Sequence, residues 1–377
     1  MIDREKRVNT WSLTWIVLQL AVVFSVFSQI TPISNVARPA MYAMWGVVIA
    51  VGCIKHKGKI PTKPFTNRFF LIYVAYLLLC FIAGLFDKQH LSSNYIRVLI
   101  VPLLVTVAGD MNTKEDKELF NRLAKLYLIT AVIFALWVQI TYIPSYSSWL
   151  STRMYLFKSK NSAGQIWVSA IFLTVIFMEF RTKVQKYLCY IACIYLLIMT
   201  GICQCRTALL SVAVAVVAYA VYKSKNKVRW IMALIVFAVV LYVVPLTHQF
   251  IEQALFLNKY AGADLNTFSS GRIVHWQDAI KSFAASPIIG VGEYYVDNSY
   301  LLILAESGLV GFFLIEWVWL KKISICYSRS KFAVEKERTL FFFMATFYIV
   351  ESVLEGYPPF GPGVSSFMFW FLSSAFC

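Results

Sequence analysis

The chain has 377 residues, of which 59% are hydrophobic and only 14% are charged, and its mean hydropathy is +0.67. Soluble domains carry about 25% charged residues, so this composition excludes an ordinary soluble protein and indicates a polytopic membrane protein. The formal net charge of +16 does not indicate nucleic-acid binding, because the basic residues form small separate clusters and no nucleic-acid-binding motif is present.

The charged clusters divide the chain into apolar runs of about 16 to 22 residues, which is the length that crosses a bilayer. We predict an all-α fold with about twelve membrane-spanning helices in a single integral membrane domain, residues 1–377. The predicted spans are 11–30, 39–54, 69–86, 95–108, 123–143, 165–180, 187–203, 207–222, 230–245, 300–320, 340–354 and a last span that ends at Cys377. About two thirds of the 35 Lys and Arg residues lie in the loops of one side, which predicts that both termini are cytoplasmic.

The longest partly polar interval, residues 246–299, lies between the ninth and tenth predicted spans and is predicted to face outward. Ser269 or Ser270 can cap a helix there, and residues 272–285 have apolar side chains at helical spacing. Pro287 ends this predicted helix. An amphipathic helix that rests on the membrane surface, without any chemistry, explains the same pattern equally well.

Cationic side chains occur at three separate places on the predicted outer face. Arg206 lies at the tip of the hairpin between the seventh and eighth spans, and Arg272 opens the predicted helix of the large loop. Arg153 and Lys160 belong to the loop before the sixth span. Because arginine suits bidentate contact with phosphate oxygens, the set predicts a pocket for a phosphorylated ligand, with a diphosphate as one option. Any one of them alone is better explained by contact with lipid headgroups.

Asp297 is the candidate general base, because it ends the large loop directly before Asn298 and the tenth span. A carboxylate there can take a proton from a sugar hydroxyl, or it can cap the tenth helix. His275 is a second candidate base, although its position beside Trp276 fits a surface histidine better. The sequence contains no P-loop, no Asp-x-Asp pair and no metal-ligand spacing, so neither a metal nor a nucleotide cofactor is expected.

Three motifs occur in the order Lys160-Asn161-x-x-Gly164, Arg206-Thr207-Ala208-Leu209-Leu210 and Asp297-Asn298-Ser299-Tyr300-Leu301. This order and spacing resemble those of the O-antigen ligase and polymerase superfamily. Lys160-Asn161-x-x-Gly164 resembles the motif that opens a middle helix in that family. Arg206-Thr207-Ala208-Leu209-Leu210 resembles another helix start, with Cys205 where serine is usual. The remaining matches, over a resemblance that covers about residues 153–311, are Gly271-Arg272, Trp276, Pro287, Gly290-x-Gly292, Asp297-Asn298-Ser299-Tyr300-Leu301 and Gly308-x-x-Gly311.

This resemblance implies a GT-C-like membrane glycosyltransferase that uses a glycan carried on undecaprenyl diphosphate and needs no metal or other cofactor. It implies that Arg206 and Arg272 hold the diphosphate, with help from Lys160 or Arg153. The residues expected to support the site are Asn161, Asn298 and His275. Ligases of the family usually have histidine at the position of Asp297, whereas Asp-Asn there is more similar to polymerases of repeat units.

We therefore expect an O-antigen polymerase, or a polymerase of a related surface polysaccharide, acting by inverting transfer at the periplasmic face of the bacterial inner membrane. The alternative is a ligase that transfers the polysaccharide to lipid A-core. An alternative of another class is a transporter of lipid-linked glycan, which would have broken helices or paired polar residues at mid-membrane. Expected partners are the lipid-linked donor, a glycan or lipid A-core acceptor, membrane lipid and, for a polymerase, a chain-length regulator; nucleic acid is not expected.

Overall fold

The computed structural model describes residues 2–112, 117–142, 160–224, 265–269, 271–330, 334–361 and 366–376, together with isolated residues between 228 and 245. The regular elements of this part of the chain are helical. They are α1 (Ile2–Phe27), α2 (Ser34–Lys55), α3 (Pro64–Gly84), α4 (Asn94–Val98), α5 (Ile100–Met111), α6 (Lys117–Tyr142), α7 (Lys160–Phe172), α8 (Lys183–Ile202), α9 (Arg206–Lys223), α10 (Leu265–Phe268), α11 (Arg272–Ala285), α12 (Ser299–Ser330), α13 (Glu335–Leu354) and α14 (Phe367–Phe376). A π-helical turn at Leu173–Phe177 continues α7.

Seven helical segments of the described residues are long and apolar enough to cross a bilayer. They are Thr31–Lys55, Pro64–Gly84, Lys88–Met111, Glu118–Thr141, Lys183–Ile202, Arg206–Lys223 and Ser299–Tyr327. Two shorter apolar helices are Leu13–Phe27 and Phe367–Phe376. The all-helical, membrane-spanning character is thus confirmed, whereas the number of twelve spans stays a prediction. Most of the ninth predicted span and the first part of the predicted loop 246–299 lie outside the described residues.

The short helix α14 lies in the centre of the apolar core. Its residues from Phe367 to Ala375 are all buried, which is expected of a helix that is apolar on every side. The ring of Trp370 lies 5.8 Å from that of Phe69 in α3 and 6.2 Å from that of Trp319 in α12. Aromatic packing around α14 therefore joins the first and second halves of the chain.

Helix α12 is broken at Gly308, and the loop that precedes α12 is inserted into the break. Gly308 has φ 61° and ψ −166°, a conformation that is essentially restricted to glycine. The break opens the two helical hydrogen bonds that Leu309 and Val310 would donate, and four bonds to the loop replace them. These run from Val291 N to Ala305 O (2.8 Å), from Gly292 N to Glu306 O (3.1 Å), from Leu309 N to Pro287 O (2.9 Å) and from Val310 N to Ile288 O (3.2 Å).

This insertion determines where the loop after α11 can go. Irregular backbone inside a membrane protein requires hydrogen-bond partners within the protein, and the break in α12 supplies them. The loop is also held from the side of α4, since Glu293 N donates to Gln89 O at 3.1 Å and Asn94 Nδ2 donates to Tyr294 O at 3.0 Å. The loop that leads to Asp297 is therefore anchored by contacts to two other segments.

Candidate active site

The guanidinium group of Arg272 joins two carboxylates that are far apart in sequence. Its Nη2 donates to Glu355 Oε1 at 2.8 Å, and its Nε lies 3.7 Å from Asp297 Oδ2. Arg272 is the first residue of α11, Asp297 lies just before α12, and Glu355 follows the last residue of α13. The Arg272 side chain is only 19% exposed, so water and salt screen these ion pairs less than they screen surface pairs.

Glu355 is the most buried carboxylate of this cluster, with a side chain that is 12% exposed. It also accepts a hydrogen bond from Asn161 Nδ2 at 2.6 Å, which ties the start of α7 to the end of α13. Burial raises the pKa of Glu355 to about 7, although Arg272 acts in the opposite direction. Near neutral pH this carboxyl group therefore exchanges between a protonated and an ionised form.

Asp297 is more accessible, with a side chain that is 36% exposed. Its Oδ1 accepts a hydrogen bond from the Tyr295 hydroxyl at 2.8 Å, and its backbone oxygen accepts one from Trp276 Nε1 at 3.1 Å. The capping of α12 is done by the neighbouring Asn298, whose Oδ1 accepts from Leu301 N at 3.0 Å. The Asp297 carboxylate therefore points to Tyr295 and Arg272 and not to the end of the helix.

The starts of α7 and α9 lie side by side, which brings Lys160 and Arg206 to the same end of the protein as Glu355. The thiol of Cys205 donates to the backbone oxygen of Lys160 at 2.9 Å, directly before α9 begins at Arg206. Gly164 permits this approach, since a Cβ there would lie 2.8 Å from that of Cys205. The cysteine that replaces the usual serine of the motif thus links the two helix starts.

A second polar group lies one helical turn before Glu355 on α13. Glu351 is fully buried and accepts from Gln165 Nε2 at 2.7 Å and from Ser211 Oγ at 3.0 Å. Gln165 belongs to α7 and Ser211 to α9, so these bonds hold together the helices whose first residues reach the cluster. These buried hydrogen bonds orient the helix ends.

Side-chain contacts join Asn161 to Asp297 through Glu355 and Arg272, and Asn298 lies next to Asp297 at the start of α12. Lys160 and Arg206 lie at the starts of α7 and α9 on the same side, and their contact with the diphosphate stays a prediction. His275 is exposed on the first turn of α11, and its support of the site stays a prediction. Arg153 lies outside the described residues. The predicted serine cap of α11 is wrong, because the N-cap is Gly271 with φ 84° and Ser269 Oγ instead donates to Asn266 O.

Sequence reasoning assigned no role to Glu355 or Tyr295. Glu355 could have been noticed as an acidic residue where an apolar helix meets a turn rich in proline and glycine, since such a charge needs a partner. A cavity of about 170 Å³ lies elsewhere, between Lys223 at the end of α9 and Arg338 near the start of α13. It is lined by none of the cluster residues and lies at the opposite ends of these helices.

The fold and the cluster define a polytopic helical membrane protein with an arginine-centred polar site at one end. Residues 188–315, about a third of the chain, match the family model described as O-Antigen ligase. This match confirms the resemblance to the O-antigen ligase and polymerase superfamily that the motifs predicted. It contains Arg206, Arg272 and Asp297, whereas Asn161 and Glu355 lie outside it. No curated protein shows significant similarity to the chain.

Proposed function

We propose that the protein is a glycosyltransferase that uses a lipid-linked glycan and joins repeat units of an O-antigen or related surface polysaccharide. The observation that carries this proposal is the contact of Arg272 with both Asp297 and Glu355 at a helix end. A cation that can hold a diphosphate lies beside a carboxylate that can accept a proton. These are the two functions that glycosyl transfer from a diphosphate requires.

In the proposed mechanism, Asp297 orients an acceptor sugar hydroxyl and takes its proton. The hydroxyl oxygen attacks the anomeric carbon of the donor glycan, and the bond from that carbon to the phosphate oxygen breaks with inversion of configuration. The diphosphate leaves with the bonding electrons. Arg272 and Arg206, helped by Lys160 or Arg153, stabilise the negative charge of the leaving group.

The charge of the cluster makes donor binding dependent on pH. When Glu355 is ionised, it lowers the positive charge of the site by one and competes with the diphosphate for the guanidinium group of Arg272. Above a pH of about 7, where Glu355 ionises, we expect the KM for the donor to rise by up to about tenfold per pH unit. Below that pH the carboxyl group is protonated and Arg272 is available to the donor.

The donor KM, measured by steady-state kinetics between pH values of about 5.5 and 9, would check this expectation. This interval includes the range in which histidine-like groups titrate. A diphosphate substituted at both ends does not titrate in that interval, so a change of the donor KM with pH comes from groups of the protein. Glu355→Gln should flatten the profile, whereas Glu293→Gln, which changes an exposed carboxylate in the loop before α12, should leave it unchanged. A donor KM that rises equally in Glu355→Gln would contradict the assignment to Glu355.

Asp297→Asn is expected to lower kcat by about a hundredfold to ten-thousandfold, the usual contribution of a general base. The amide has the same shape and can still accept from the Tyr295 hydroxyl, and the cap of α12 is untouched because Asn298 forms it. Transfer rates of the purified protein would measure the loss. The matched control is Asp278→Asn, an exposed acid on α11 that pairs with Lys281. Full activity of Asp297→Asn would leave this carboxylate without a catalytic role.

A ligase that moves the finished polysaccharide to lipid A-core is the second candidate function, favoured by the description of the matching family model. Asp297, where ligases of the family usually have histidine, favours the polymerase. The break of α12 at Gly308 is a feature that the transporter alternative predicts. However, the backbone groups opened there bond to Pro287, Ile288, Val291 and Gly292, which speaks against a transport site at the break.

A lipopolysaccharide gel of a strain that lacks the gene would test these functions. Core capped with a single repeat unit would support the polymerase, since ligation continues without chain growth. Core alone, with long polymer retained on the lipid carrier, would support the ligase. An unchanged gel would contradict both for lipopolysaccharide and direct the test to capsule, exopolysaccharide or transport.

A further inference from the structure

Tyr295 is an exposed aromatic side chain whose position is nevertheless fixed at several points. The residue is 60% exposed, and its hydroxyl donates to Asp297 Oδ1 at 2.8 Å. Its ring packs against that of Tyr357, with ring centroids 5.8 Å apart and ring planes tilted by 50°. Gly356 leaves room for this ring, because a Cβ there would lie 3.3 Å from Tyr295 Cε2 and 2.8 Å from the backbone oxygen of Val296.

The residues that fix Tyr295 are neighbours of the residue that holds Arg272. Glu355, Gly356 and Tyr357 are consecutive, so the turn after α13 contacts the cation with its first residue and the tyrosine ring with the next two. Tyr357 is itself held by the buried Tyr95, at a centroid distance of 6.3 Å. The turn after α13 thus helps to fix the Tyr295 ring, Asp297 and Arg272 relative to one another.

Fixing an exposed side chain costs conformational entropy. Because the side chain stays exposed, no burial of apolar surface offsets this cost. Holding Tyr295 at its hydroxyl and along its ring therefore stabilises the free protein little. A ring whose orientation is set in advance does favour a ligand that packs on its open face, since the ordering cost is already met before binding. Sugars are suited to such a face, because a pyranose ring has one side formed mainly by C–H groups and a rim of hydroxyls.

We propose that the open face of Tyr295 is the subsite for the acceptor sugar, which packs its C–H face on the ring and presents a hydroxyl to Asp297. This inference rests on the proposed function, and it adds a carbohydrate subsite and the residue that forms it. Tyr295 has two separable tasks. Its ring holds the sugar, and its hydroxyl keeps the Asp297 carboxylate in the orientation that leaves Oδ2 toward Arg272.

The two tasks predict different kinetic changes for different substitutions. Tyr295→Leu removes the flat face and should raise the KM for the acceptor by about tenfold, the scale of one aromatic contact. Tyr295→Phe keeps the face and removes the bond to Asp297, so the acceptor KM should stay within about twofold of wild type while kcat falls. The donor KM should be unchanged in both variants. Tyr295→Trp, which keeps a flat ring, should retain acceptor binding better than Tyr295→Leu.

The experiment uses the full chain in detergent with undecaprenyl-diphosphate-linked repeat unit as donor and the free repeat-unit oligosaccharide as acceptor, so that each concentration is varied separately. It adds a binding measurement with the same oligosaccharide without donor. Ile288→Ala changes another exposed apolar side chain of the same loop and should bind and transfer like wild type. Thermal unfolding of each variant excludes loss of fold as the cause of a kinetic change.

Weaker oligosaccharide binding in Tyr295→Leu, with binding retained in Tyr295→Phe, would support the subsite even if transfer were not observed. Equal binding of the oligosaccharide to wild type and Tyr295→Leu would overturn it and would assign Tyr295 to the aromatic belt at the membrane surface. Failure of the proposed function has a different signature, since wild type itself would then transfer no sugar.

Discussion

Replacing Arg272 by alanine is expected to lower the rate of glycosyl transfer by about a hundredfold or more, the scale for losing one charged donor to a leaving oxyanion. The guanidinium group is the proposed contact of the diphosphate and also the shared partner of Asp297 and Glu355. Its removal leaves two carboxylates facing each other across the site, so the diphosphate meets repulsion in place of attraction. Transfer assays with purified protein would measure the effect on kcat and on the donor KM separately.

Three further variants make this prediction specific. Arg272→Lys keeps the charge but not the planar fork, so it should recover only part of the rate. Lys281→Ala, on the exposed side of the same helix, should have wild-type activity. Arg206→Ala removes the other proposed diphosphate contact and should cost about a hundredfold. Wild-type turnover in either arginine-to-alanine variant would remove that residue from the site.

Alanine at Gly308 is expected to destabilise the protein by about 3 kcal/mol or more. The φ and ψ angles there are essentially restricted to glycine, and a Cβ would overlap the carbonyl group of Ile288 in the inserted loop. Gly290→Ala should act similarly, because its Cβ would overlap the backbone of Glu306 from the opposite side. Both changes would expel the loop from α12 and displace Asp297 from Arg272.

The yield of monodisperse protein and the thermal unfolding midpoint in detergent would measure this loss. Gly46→Ala is the matched control, because no atom lies within 4 Å of a Cβ built at this position in α2. There the change should be neutral or should stabilise by up to about 1 kcal/mol, since alanine favours a helix interior. An unfolding midpoint of Gly308→Ala equal to that of wild type would mean that the break tolerates a side chain.

Short-range features of the chain could be predicted well because they depend on neighbouring residues. Residues 272–285 were predicted as a helix from apolar spacing and from Pro287, and α11 has these bounds. The seventh and eighth predicted spans, 187–203 and 207–222, correspond to α8 and α9 within a few residues at each end. Local signals were not sufficient where neighbouring residues can cap the same helix equally well. Gly271 and not a serine precedes α11, and Asn298 and not Asp297 caps α12.

The sequence by itself determined that this is a helical membrane protein, and its motifs predicted the family resemblance, because hydropathy and motif order can be read along the chain. Only the tertiary structure decided that Glu355 is the partner of Arg272, 83 residues earlier, and that residues 287–292 fill the break in α12. Both contacts depend on how separate helices pack against each other. A buried charge or an opened backbone group requires a partner, and the packing determines which distant residue provides it.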